Sequence, residues 1–218
     1  MKKAIIIGAT SGLGREIALN LQCDGWSVGV AGRRVELLKE FAIYEQIDVT
    51  AEDAVECVER LVEKLGGMDL FVNVAGVGFQ NATLDPKVEK HTFDVNGYGF
   101  MRMVDWAYNY FKCTNQPGHI AVISSIAGTK PLGTAAAYSA TKRMQSHYIT
   151  ALAQLARMEH LNIHFTDIRP GFAATDILNP NKHYPMMMSK EYAGRLATQA
   201  ILKKKRVAVI DWKFAVLT

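Results

Sequence analysis

Short β-branched runs alternate with amphipathic stretches along nearly the whole chain. Ala4-Ile-Ile-Ile-Gly8 has apolar residues on both faces, the pattern of a central parallel strand covered from two sides. Arg15 to Cys23 then shows helical periodicity through Ile17, Ala18 and Leu21, and Ser27-Val-Gly-Val-Ala31 is a second buried strand. A short helix is predicted over Val35 to Ala42 and a strand over Tyr44 to Ile47. Val55, Val58, Leu61, Val62 and Leu65 mark an amphipathic helix starting near Ala51, which Gly66-Gly67 stops. Asp69-Leu-Phe-Val-Asn-Val-Ala-Gly76 reads as a fourth strand with a glycine turn after it, Lys87 to Phe111 as one long helix and His119 to Ser124 as a fifth strand. The pattern closes with a helix from Thr134 through Met158, a strand from Asn162 to Ile168, a helix from Lys190 to Leu202 and a strand from Val207 to Ile210. Strands that alternate with helices predict a parallel α/β sheet.

Composition narrows the class. At 218 residues the chain fits one domain, and 49% apolar with 21% charged residues is ordinary for a soluble globular protein. A net charge of +4, scattered apart from Lys203-Lys-Lys-Arg206, does not require nucleic acid. Cys23, Cys57 and Cys113 have no metal or redox spacing and read as buried thiols in a reducing compartment. No apolar run reaches the roughly 18–20 residues of a membrane span, and no signal peptide precedes Ala4, so the expected location is the cytoplasm.

Two stretches carry chemistry. Gly8-Ala-Thr10-Ser11-Gly12-Leu13-Gly14 joins the first strand to the first helix. Glycines there let the backbone approach a diphosphate, whose charge meets the N–H groups and positive dipole end of the helix. After the second strand stands Gly32-Arg33-Arg34. An acidic side chain there would bind the adenosine ribose hydroxyls, whereas guanidinium groups pair with a 2′-phosphate, so NADP(H) is expected in preference to NAD(H) unless both arginines are simply solvated. Asp48, followed by Val49, could receive the adenine amino group or cap the next helix. The second stretch is Tyr138-Ser-Ala-Thr-Lys142. Its i, i+4 spacing places a phenol and an ammonium on one helix face. A cation within roughly 4–6 Å lowers a tyrosine from its usual value of about 10 by about 1–3 pH units, which makes Tyr138 a candidate proton donor and acceptor. Ser125 stands thirteen positions earlier, beyond a loop containing Gly128, Pro131 and Gly133. Asn96 is a polar amide inside a long helical pattern weakened by Gly97 and Gly99, which suggests a bend or a close approach.

With the glycine motif, Asn73-Val-Ala75-Gly76, Asn96, Ser125, Tyr138, Lys142 and Pro170-Gly171 with Thr175 in this order, the chain resembles the short-chain dehydrogenase/reductase family from Ala4 to about Ile210. The resemblance implies a Rossmann-like, doubly wound parallel sheet of about seven strands in a three-layer α/β/α single domain, and Asn96, Ser125, Tyr138 and Lys142 as a catalytic tetrad. Departures are Asn73-Val in place of Asn-Asn, a short Arg34 to Asp48 segment and a short end of the chain.

Together these residues describe an NADP(H)-dependent oxidoreductase moving hydride between nicotinamide and a carbonyl or secondary alcohol of a small apolar substrate. Tyr138 is the acid, with Ser125 bonding the reacting oxygen. Lys142 acidifies Tyr138 and, by the resemblance, binds the nicotinamide ribose; Asn96 would hold a water that links Lys142 to solvent. Thr175 is expected near the carboxamide or the pyrophosphate, and Pro170, Gly171 and Phe172 are expected to bind the cofactor beside it. No metal is expected. Phe172 to Met188, with Asn179, Pro180, Asn181 and Pro185, reads as a cover over the site, and Phe79, Tyr98, Phe172, Ile177 and Met186 to Met188 as candidate pocket residues. The resemblance suggests a homodimer or homotetramer. Two other readings are a cofactor-binding sensor without turnover, and a membrane-surface or partner-binding role for the 203–218 tail, where Trp212, Phe214, Val216 and Leu217 follow basic residues.

Overall fold

The computed structural model describes residues 1–175 and 184–215. Seven strands make one sheet: β1 (Lys3–Ile7), β2 (Ser27–Gly32), β3 (Ile43–Gln46), β4 (Leu70–Asn73), β5 (Gly118–Ile123), β6 (Ile163–Pro170) and β7 (Val207–Ile210), in the order β3-β2-β1-β4-β5-β6-β7. All pairings are parallel. Strand order reverses between β1 and β4, so a crevice opens at their carboxyl ends.

Helices cover both faces, which is why the inner strands read as continuous apolar runs. Ile5 and Ile7 of β1 face a core shared with α2 (Ala54–Leu65), α4 (Phe100–Thr114) and α5 (Ala136–Met158). Ala4 and Ile6 face the opposite core, shared with α1 (Gly12–Cys23) and α6 (Lys190–Leu202). The fold is thus the Rossmann-like single domain that the resemblance implied.

Four local expectations change. Val35 to Ala42 contains one 3-10 turn, Val35–Leu38, since Leu38 and Phe41 are buried while Leu37 is exposed and β3 begins at Ile43. The long helix divides into α3 (Pro86–Phe93), a π-helical turn at Asp94–Gly99, and α4. Glycine permits this: a Cβ at Gly99 would lie 2.7 Å from Val49 Cγ2 and 3.0 Å from the Val49 carbonyl oxygen. The extra residue per turn leaves Asn96 fully buried. Asp48 does not cap α2, which starts at Ala54 behind Asp53; its carboxylate closes a turn by accepting from Thr50 N at 2.9 Å and Thr50 Oγ1 at 2.7 Å. Of the cysteines only Cys57 is buried.

The chain after β7 makes a single turn, α7 (Trp212–Ala215), with Phe214 buried and Trp212 exposed; Val216 and Leu217 lie outside the described residues. Ile177, Asn179, Pro180 and Asn181 also lie outside them. The flanks of that span are clasped together: Ala174 N donates to the Met188 carbonyl and Met188 N to the Phe172 carbonyl, each at 2.9 Å. Among the described residues no helix is long and apolar enough to cross a membrane.

Candidate active site

A cleft of about 400 Å³ occupies the point where the strand order reverses. At one end lies the glycine loop. Gly8 has φ +94°, and a Cβ on it would stand 2.5 Å from Ala75 N, so only glycine lets the loop after β1 press against the turn after β4. Gly8 N and Ala9 N donate to the Ala31 carbonyl at 2.8 and 3.0 Å, which ties the loop to β2. Ser11 precedes α1 without a side-chain cap bond, leaving the first N–H groups of that helix for an anion. This cradle, with no Cβ to fill it, fits a diphosphate.

Arg34 reaches over the loop, Nη2 donating to Ser11 Oγ at 2.7 Å and Thr10 Oγ1 at 3.1 Å. Arg33 is exposed beside it. Burial pushes the Asp48 carboxyl up, but the Thr50 bonds and the Arg33 and His91 charges outweigh it and hold Asp48 below its ordinary value. Thr175 sits over the loop end, its Cγ2 3.1 Å from where a Gly12 Cβ would be.

The opposite end gathers Ser125, Tyr138 and Lys142, all lining the cleft. Ser125 leaves the end of β5 and accepts from Ala127 N at 3.1 Å. Burial raises the Tyr138 phenol above its ordinary value, and a hydrogen bond with Ser125 partly opposes that. Lys142 is 4% exposed; Nζ donates to the Ile123 carbonyl at 2.9 Å and to Gln145 Oε1 at 3.0 Å. Burial pushes it down to about 8, with the Asp167 charge acting against the change. The expected acidification of Tyr138 by Lys142 is therefore not found. The ammonium stands 5.8 Å from the ring centre and turns toward Ile123 and Gln145, so burial decides the phenol.

Asn96 does not line the cleft. Its amide clamps the backbone of Val77, accepting from Val77 N at 2.8 Å and donating to the Val77 carbonyl at 2.7 Å, and its own carbonyl takes Gln145 Nε2 at 2.8 Å. Asn96 Nδ2 also donates to Thr141 Oγ1 at 3.2 Å. Asn73 is buried behind the wall, and its Oδ1 has no partner among the described residues. Gly14 also stands behind, packed on the Gly8 carbonyl, and Phe172 meets Tyr184 in a tilted contact and Phe214 edge-on, at 5.1 and 6.2 Å between ring centres. Gly8, Thr10, Ser11, Gly12, Leu13, Arg33, Arg34, Asp48, Val49, Ala75, Gly76, Pro170, Gly171 and Thr175 all line the cleft, as does Phe79. Tyr98 points outward, 61% exposed beside Arg102.

Sequence reasoning missed Ile7, Ile47, Val77, Gly78, Val95, Ile123, Ser124 and Ala173 in the lining, although each adjoins or nearly adjoins a residue it named. Ser124 Oγ donates to Asp167, which also accepts from Arg169 Nε at 2.7 Å. That buried network had no signal in spacing.

The family described as "short chain dehydrogenase" matches residues 2–184, and the chain belongs to it, an oxidoreductase family. An uncharacterized oxidoreductase of Myxococcus xanthus is 31% identical over 231 residues, covering 100% of this chain and 90% of that protein. A 3-ketoacyl-(acyl-carrier-protein) reductase from Brucella melitensis, solved with NADH, superposes with a TM-score of 0.86 at 25% identity, covering 96% of each chain. An alcohol dehydrogenase from the archaeon Thermococcus sibiricus, solved with 5-hydroxy-NADP, shares the fold with a TM-score of 0.80 at 24% identity, over 96% of this chain and 95% of that one.

Proposed function

We infer that the protein reduces a carbonyl on a small, largely apolar substrate, or oxidises the corresponding secondary alcohol, with NADP(H). The observation that carries this reading is the convergence of Ser125, Tyr138 and Lys142 in the same cleft as the open glycine loop and its two arginines. The glycine loop and the start of α1 would hold the diphosphate, and Arg33 and Arg34 the adenosine 2′-phosphate; no acidic residue closes β2 to repel it. When bound, the nicotinamide supplies or accepts the hydride.

The chain's own residues handle the oxygen. Tyr138, protonated because burial favours the neutral phenol, donates its proton as negative charge grows on the substrate oxygen, and Ser125 Oγ hydrogen-bonds the same atom. In the oxidative direction the roles reverse. Lys142 spends two of its three N–H donors on Ile123 and Gln145, leaving the third for a ribose hydroxyl in the cleft.

The test is titration of NADPH and NADH by protein fluorescence, followed by a screen of aldehydes and ketones for NADPH oxidation. Intact protein binds NADPH the tighter of the two, and the Arg33→Ala, Arg34→Ala variant loses at least about tenfold of that preference, the scale of one charge-assisted phosphate contact. Equal affinities in the intact protein overturn the cofactor choice; binding with no turnover across the panel overturns the enzyme reading.

A further inference from the structure

We propose that Gln145 is a positioning residue for Lys142, its carboxamide bridging the ammonium to the Asn96 carbonyl and so fixing the amine at the cleft wall. This rests on the oxidoreductase reading and deepens it. Gln145 is 1% exposed and lies three residues after Lys142 on α5, so the two side chains share a helix face. The amide's orientation is forced. An ammonium only donates, so Oε1 faces Lys142 Nζ at 3.0 Å, and a carbonyl only accepts, so Nε2 faces Asn96 at 2.8 Å. With the bond from Lys142 to the Ile123 carbonyl, the pair ties α5 to the end of β5 through Lys142 Nζ and to the π-helical turn through Gln145 Nε2.

The surroundings make that link matter. On its own helix Lys142 is faced by the Tyr138 ring and Gln145; from β5 comes the Ile123 carbonyl, and from the turn after β4 Gly76, where a Cβ would stand 3.4 Å from Nζ. From β6 Asp167 acts at a distance, its carboxylate bonded to Ser124 and Arg169. Both protein acceptors on the ammonium among the described residues are therefore neutral. A buried cation held in this way is sensitive to each acceptor: removing one favours the free amine, and replacing one with a carboxylate favours the ammonium. A carboxamide does not pass a proton along, so the bridge acts as a clamp.

The experiment titrates the Lys142 amine by NMR in ¹⁵N-lysine protein, with the resonance assigned by its loss in Lys142→Arg, for intact protein, Gln145→Met and Gln145→Glu. Methionine keeps the length and removes the acceptor; glutamate keeps the acceptor and adds charge. Gln145→Met is expected to lower the Lys142 pKa by about one pH unit, the scale of a hydrogen bond to a charged group, and Gln145→Glu to raise it. The pH limb of kcat/KM that follows Lys142 moves in the same two directions. An unmoved Lys142 in both variants, with cooperative melts retained, overturns the positioning role. Should Gln145→Met fail to fold, Gln145→Glu decides alone, by a raised or an unraised Lys142. Lys142 shifts as expected in a protein that turns over no carbonyl leave the clamp standing and remove the oxidoreductase reading.

Discussion

At the scale of residues, Tyr138 shows how spacing and environment divide the work. The i, i+4 relation to Lys142 is visible in the sequence and does place both groups on one wall of the cleft. It says nothing of where the ammonium points. Two acceptors draw the amine from the hydroxyl, and burial keeps the phenol protonated, which suits an acid toward a carbonyl. Tyr138→Phe is expected to reduce turnover at least about 10²-fold, the scale of general acid catalysis, while NADPH titration curves stay superimposable on those of the intact protein. Turnover within a few fold of the intact protein would exclude Tyr138 as the acid. Gln145 is illegible in the sequence for a plain reason: a lysine followed three positions later by a glutamine is an ordinary surface pair, and its other partner is a main-chain carbonyl 49 residues away.

At the scale of elements, the π-helical turn decides how Asn96 is used. Apolar residues at Val95, Phe100, Met103, Val104, Ala107 and Phe111 fit one helical face, and a pattern of that kind does not register one added residue in a turn. Gly97 and Gly99 are the only trace, and the close approach they suggest is found at Gly99, against Val49. Gly99→Val would force a side chain into that contact. It is expected to cost about 1–3 kcal/mol through overpacking, a loss of roughly 2–4 °C in Tm for each kcal/mol in a chain of this size. Scanning calorimetry checks this, and a Tm equal to that of the intact protein would show that the segment gives way freely. The 3-10 turn after β2 reads as a longer helix for a related reason, since Val35, Leu38 and Phe41 resemble one helical face until the nearness of β3 limits the length.

At the scale of the whole molecule, alternation of strand and helix is enough to indicate a parallel sheet, but not which strands are neighbours. The order comes only through the family resemblance, because pairing of β1 with both β2 and β4 depends on contacts far apart in the chain. The same sheet buries His119 of β5, which bonds Thr166 of β6 at 2.8 Å. Burial pushes its pKa down to about 3, with His164 and Lys204 adding repulsion. In the unfolded chain the same imidazole titrates at about 6.5. Between those values the unfolded state holds more protons, so stability is present above about 6.5 and declines as pH falls toward 3, by up to about 1.4 kcal/mol per pH unit. His119→Gln keeps a polar group for Thr166 without titrating, and its urea midpoint is expected to fall less steeply with acid; parallel curves for the two proteins would reject this source of acid sensitivity. The clasp between Phe172, Ala174 and Met188 has an engineering consequence. Because main-chain atoms make both bonds, side-chain substitutions at Phe172, Ala174 and Met188 leave the two contacts available, and this edge can be redesigned without breaking the clasp.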